Sequence, residues 1–188
     1  MTPTTRFPAF SRLLHWTVAA MILAMLFIGV GMVSSPDDYH RLVSIHRPLG
    51  VAILILVAVR LVNRLGARPP PLPEDMPGWL KGVAGASHLA LYALMFAVPL
   101  VGWAMLSAGR YPIVLYGSLH LQPILHPAPS LYALLRETHT VLAFLLFAVF
   151  LAHLGAALAH ALVFRDGVFQ SMASLRAGSS RRRRPARP

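Results

Sequence analysis

Residues 139–160 read HTVLAFLLFAVFLAHLGAALAH, a run with no Asp, Glu, Lys or Arg that nonetheless carries three histidines. Its length suits a helix crossing the hydrocarbon core of a bilayer, which takes roughly 20 apolar residues. At about 100° per residue, the 14 positions from His139 to His153 turn such a helix about 1400°, about 40° short of four turns. The 7 positions on to His160 fall about 20° short of two more turns. All three imidazoles therefore share one face. Ionisable groups are costly inside lipid, so a column of them points to partners within the protein or to a function.

The rest of the chain agrees with a membrane setting. Of 188 residues, 56% are hydrophobic and only 12% charged, with a mean hydropathy of +0.62, too apolar for an ordinary soluble domain of this size. Cysteine is absent, which excludes disulfides, thiolate metal sites, iron–sulfur clusters and haem attached through a C-x-x-C-H motif. Any metal must then be held mainly by histidine. The opening MTPTTRFPAFSRLLHW lacks a cleavable signal layout, so the first helix is expected to stay attached. The net charge of +11 is concentrated in the tail SSRRRRPARP and beside apolar segments. With no aromatic-interleaved basic face, this favours topology over nucleic-acid binding, which is not expected.

Four segments approach spanning length, at about 12–33, 45–64, 86–107 and 133–164. The second is the least obvious, since PLGVAILILVAV is short and flanked by Arg47 and Arg60. RLGARPPPLPEDMPGW is proline-rich and cannot continue a helix, and YPIVLYGSLHLQPILHPAPS looks irregular, fit to lie along the membrane surface. The expectation is an all-α integral membrane four-helix bundle over residues 1–170, followed by a disordered basic tail over 171–188. Four spans put both termini and the loop between spans two and three on one side. That side carries 13 basic residues (Arg6, Arg12, Arg60, Arg64, Arg68, Lys81, Arg165, Arg176, Arg181, Arg182, Arg183, Arg184 and Arg187) against Arg41, Arg47, Arg110 and Arg136 opposite, of 17 in all. The positive-inside bias then places both termini in the cytoplasm.

On that topology the histidines sort into two depths. His15, near the start of span one, and His153, deep in span four, lie toward the cytoplasm, whereas His46 and His139 lie toward the other side. Fourteen residues along span four separate the levels by roughly 21 Å. Two haem groups stacked across the membrane would fit, each held by neutral imidazoles on either side of its iron. A bare zinc site is disfavoured, because its ligands would gather at one depth. Taken singly, each histidine is as easily read as a hydrogen bond between helices.

Small residues suit the same geometry. Gly29 follows His15 by 14 residues and returns to its face at the other level, Gly50 lies one turn after His46, and Gly155 adjoins His153. Gaps for a flat macrocycle and close helix packing in lipid account for these glycines equally well. His88 and His160 also lie toward the cytoplasm and compete with His15 or His153 for iron. His160, two turns beyond His153, is better placed for a quinone head near the lipid headgroups, with an interfacial hydrogen bond as the plain alternative. His40, His120 and His126 stand in loop-like contexts and read as ordinary exposed residues.

The motifs RLLHW with His15, SIHRPLG with His46, ASHLALYALMFAVPLVGW in span three, ETH with His139, and AHLGAALAH followed by FRDG resemble the bacterial cytochrome b561 family over nearly the whole chain. That resemblance implies two non-covalent haem b groups, with His15 and His153 on the cytoplasmic-side iron and His46 and His139 on the periplasmic-side iron. It implies a quinone position at His160 and a bacterial inner-membrane location. It further implies an oxidoreductase that takes electrons from periplasmic superoxide and reduces ubiquinone or another membrane quinone. Arg47, Arg110 and Arg136 around the periplasmic haem would attract the anion, with Arg41 extending the field, though Arg47 equally suits a haem propionate. The rival readings are a cytochrome b subunit fed by a partner protein in a hydrogenase or dehydrogenase complex, and a non-redox transporter with a histidine-lined proton pathway. The spans contain few of the acidic or amide groups such a pathway needs.

Overall fold

A computed structural model describes residues 6–173 except 68, 72, 75 and 118. Arg68 and the basic tail from residue 174 onward lie outside the described residues. The chain is mostly helical, built on α1 (Ala9–Ser34), α2 (Tyr39–Gly66), α3 (Gly78–Ala108) and α4 (Pro129–Ala159), with a short α5 (Val168–Ala173). These supply four helices long and apolar enough to cross a membrane, the last extended to Phe164 by a π-helical turn. Each contains its expected span and runs beyond it. The largest extension is in α3, which starts at Gly78 instead of near residue 86 because no proline follows Pro77 until Pro99, and Gly82 and Gly85 weaken a helix without stopping it.

The long helices form a bundle in which α1 packs along α2 and α3 along α4, with α2 against α3 joining the pairs. Val18, Ile22, Ile53, Val57, Leu91, Leu94, Met95 and Leu146 make one core drawn from all four. Its centre is small, and large apolar residues such as Phe27, Leu89, Phe144 and Val163 are exposed on the outside. Such a surface is stable in lipid, where no water has to be excluded from it. Pro48 and Pro99 sit inside α2 and α3. Prolines of this kind are tolerated in spanning helices because neighbouring helices restore the packing.

The first and last described segments meet at one end of the bundle. Phe7 N–H donates to the Ser171 carbonyl at 3.1 Å, and Trp16 Nε1–H to the Met172 carbonyl at 3.1 Å. We refer to this as the terminal end. The opposite end corrects one expectation, because residues 111–130 are not wholly irregular. β1 (Ile113–Tyr116) and β2 (Leu119–Leu121) form an antiparallel hairpin turned at Gly117, whose φ of 52° is easy only for glycine. The residues after it fold back on α3, where Trp103 Nε1–H donates to the Gln122 carbonyl at 3.0 Å and Ile124 N–H donates to Ser107 Oγ at 3.1 Å.

Candidate functional site

Helix direction and register set the depth of each histidine. His46 on α2 and His139 on α4 both lie near the hairpin end, and their rings face one another with centroids 6.2 Å apart and planes at 69°. Two imidazoles bound through nitrogen to opposite sides of one metal have centroids about 6.3 Å apart, taking about 2.0–2.1 Å for each metal–nitrogen bond and about 1.1 Å from nitrogen to ring centre. The spacing therefore fits a shared ion between them. Rotation about each metal–nitrogen bond leaves the interplanar angle free.

His139 is held for that role by the backbone of α3. Its Nδ1–H donates to the Val98 carbonyl at 3.0 Å, which fixes the tautomer and leaves Nε2 with its lone pair. The ring reaches the helix backbone because Gly102, one turn after Val98, has no side chain. A Cβ there would stand 3.1 Å from His139 Cε1 and 3.3 Å from Nδ1. The sequence reading passed over Gly102. A glycine in the last turns of the apolar span leaves room for a neighbour, but nothing in the sequence says which neighbour.

Three buried polar atoms have no partner among the described residues: His15 Nδ1, His46 Nδ1 and Arg47 Nε. Buried polar groups are nearly always satisfied, so idle atoms at the sequence-predicted sites are what a missing polar ligand would leave behind. Arg47 is anchored at its far end, with Nη1 donating to the Pro112 carbonyl at 3.1 Å. A Cβ on Gly29 would meet nothing within 4 Å and one on Gly50 only Met25 Cε at 3.7 Å, whereas Gly155 is exposed on the outside of α4, so its open surroundings are not a space between helices. These residues fit a flat anionic macrocycle with histidine axial groups.

At the terminal end, His15, His153 and His88 lie within electrostatic reach of one another and of Arg60 on α2. The ring packed on His153 is that of His88, with centroids 5.4 Å apart and planes at 64°. That is closer by roughly 0.9 Å than two imidazoles sharing one metal would stand, and it reads as direct edge contact. His15 takes an edge-on contact with Trp16 at 5.3 Å. Arg60 Nε–H donates to Tyr92 Oη at 3.2 Å, and its guanidinium lies 5.8 Å from that ring's centre. His88 and Arg60 thus join the terminal-end group more closely than their spacing in the sequence implied.

The hairpin end holds a cavity of about 660 Å³ lined by Arg110, Tyr111, Ile113, His120, Gln122 and His126 among others. Arg47 reaches Pro112, two residues after Arg110, so both arginines belong to this end of the bundle. Arg136 is exposed on α4 and is not among the residues lining the cavity. His120 and His126, read from the sequence as ordinary exposed residues, both stand at its wall.

His160 begins the π-helical turn, and its Nδ1 lies 2.6 Å from Asp166 Oδ2. Its ring also packs against Phe164 at 5.2 Å.

Four helices long and apolar enough to cross a membrane, with histidines packed between neighbouring helices toward both ends, mark a multi-pass membrane protein. The model of the prokaryotic cytochrome b561 family matches residues 6–174, and the chain belongs to that family. It is 29% identical over 171 residues to cytochrome b561 homolog 2 of Escherichia coli (strain K12), covering 89% of this chain and 90% of that one. It is 23% identical over 163 residues to cytochrome b561 homolog 1 of the same organism, covering 85% and 92%. The probable superoxide oxidase CybB of Yersinia pestis is 27% identical over 165 residues, covering 85% and 90%. The protein is therefore a membrane electron-transfer protein of a family that binds b-type haem.

Proposed function

We propose that this protein oxidises superoxide at the hairpin end of the bundle and reduces a membrane quinone at the terminal end. Overall, two superoxide anions, one quinone and two protons yield two molecules of oxygen and one quinol. The observation that carries the reading is the facing pair His46 and His139 at 6.2 Å, with a second histidine group displaced by about 14 residues along α4, or roughly 21 Å. Two b-type haems, when bound at these levels, supply one-electron redox chemistry across the membrane.

The chain's own residues supply the rest. His46 and His139 would hold the hairpin-end haem, with the Val98 carbonyl orienting His139 and Arg47 available to pair with a propionate. His15 and His153 hold the other, while His88 packs against His153 and buttresses it. Gly29 and Gly50 leave room for the hairpin-end ring. Arg110 at the cavity mouth and exposed Arg136 attract a small anion from solution. His160 meets the quinone head. The basic residues of the terminal end favour its cytoplasmic placement in a bacterial inner membrane, which puts the hairpin in the periplasm.

Stopped-flow mixing of the haem-loaded protein with superoxide tests the donor. Haem reduction should be fast and abolished by superoxide dismutase. Equal traces with and without the dismutase would end the superoxide assignment, leaving an electron-transfer subunit fed by a partner protein.

A further inference from the structure

The turn after α4 is built around one side chain whose purpose the sequence did not disclose. α4 passes at His160 into a π-helical turn ending at Phe164, closed by Arg165 N–H donating to the His160 carbonyl at 2.9 Å. Arg165 takes a left-handed backbone at φ 51°, and Gly167 follows at φ 84°. This double reversal swings Asp166 back over the helix. Its Oδ2 lies 2.6 Å from His160 Nδ1, a short contact of the kind that charge assistance favours, while Oδ1 accepts Val168 N–H at 3.1 Å. The carboxylate is therefore fixed from both sides. Both side chains are sheltered, at 14% and 21% exposure, although neither is sealed from water.

We propose that Asp166 is a positioning residue for quinone reduction, holding Nδ1–H of His160 so that Nε2 alone faces the quinone; this rests on the placement of the quinone at His160 above. Reduction of a quinone takes two electrons, supplied from superoxide, and two protons. With His160 protonated, Nε2–H gives its proton to a quinone oxygen as the electrons arrive. The N–H bond breaks, an O–H bond forms, and the ring is left neutral with its remaining proton on Nδ1, still donated to Asp166. Water at the terminal end returns the proton to Nε2, and a second passage completes the quinol. Without the carboxylate, the neutral ring is free to carry its proton on either nitrogen and to turn away from the quinone. A correctly placed general acid contributes roughly 10²–10⁴-fold to a proton transfer, so losing its orientation should be costly even with the ring retained.

The test compares Asp166→Asn with His160→Ala in full-length haem-loaded protein in lipid nanodiscs, using ubiquinone-1. The haems are reduced beforehand with dithionite, removed before mixing, so that superoxide plays no part. Both variants should retain wild-type haem content. His160→Ala should slow reoxidation by the quinone. Asp166→Asn should lower the maximal rate about tenfold with little change in the quinone concentration giving half-maximal rate, and should enlarge the solvent deuterium effect. A second readout is independent of turnover: ¹⁵N spectra of histidine-labelled, reduced protein, with His160 assigned by its loss in His160→Ala. The wild type should show the neutral His160 ring carrying its proton on Nδ1, and Asp166→Asn should shift it toward the Nε2–H tautomer. If His160→Ala reoxidises at the wild-type rate, the quinone does not meet His160 and the placement falls together with the inference. If His160→Ala is slow but Asp166→Asn keeps the wild-type rate and tautomer, the quinone placement stands and the role of Asp166 is refuted.

Discussion

At the scale of single residues, the hairpin-end site turns on the approach of His139 to the backbone of α3. Gly102 makes that approach possible, because even a methyl there would sit 3.1 Å from the imidazole. Gly102→Ala should be tolerated with a small shift of the ring. Gly102→Val should cost about 1–3 kcal/mol by overpacking and displace His139 from its bond to Val98, so that measured haem per chain falls toward half. At the terminal end, the structure offers two neighbours for His153. Because His88 stands at 5.4 Å, too close to share a metal with it, His15→Ala should lose one haem, whereas His88→Ala should keep the haem with at most a spectral shift. Haem quantitation and the reduced absorption spectrum decide between them. The histidines themselves were legible from spacing alone, because helical periodicity fixes a shared face and counting residues fixes a depth. Gly102 and Asp166 were not, and for His88 only its level was legible and not its packing on His153, since each acts through a neighbour on another helix or beyond a turn, and periodicity carries no information across those gaps.

At the scale of elements, the spans were readable because a bilayer imposes a length on any apolar run. Their ends were not, for helix continues past the apolar stretch wherever no proline intervenes, as in the first turns of α3. The hairpin of β1 and β2 escaped for the opposite reason: its strands are four and three residues long, too short to establish an alternating pattern. This hairpin shapes the cavity beside Arg110, and that gives the donor end its own prediction. Replacing Arg110 and Arg136 together by Gln should slow reduction by superoxide and flatten its dependence on ionic strength, since both act by long-range attraction screened over about 8 Å at physiological salt. A small neutral reductant should reduce the variant as it does the wild type. A superoxide rate indifferent to both salt and substitution would remove the arginines from the account. Arg47 is left out of that test, because its anchored guanidinium and idle Nε tie it to the cofactor site.

At the scale of the whole molecule, the two histidine depths matter only if the bundle crosses the membrane with its two ends on opposite sides. The absence of cysteine makes this directly measurable. Single cysteines at Val114 in the hairpin and at Gln170 in α5 should react oppositely with a membrane-impermeant maleimide applied to intact bacterial spheroplasts, the first labelled and the second only after lysis. The same pattern would place superoxide access outside and quinone protonation inside. Beneath topology and substrates lies one claim, that paired histidines at two depths hold two haems. Pyridine haemochrome analysis of the purified protein, set against protein concentration from amino-acid analysis, measures it most directly. The account predicts about two haem b groups per chain, falling to about one in His46→Ala, His139→Ala, His15→Ala or His153→Ala. A wild-type ratio of one or none, or a wild-type ratio retained in any of the four variants, would contradict it.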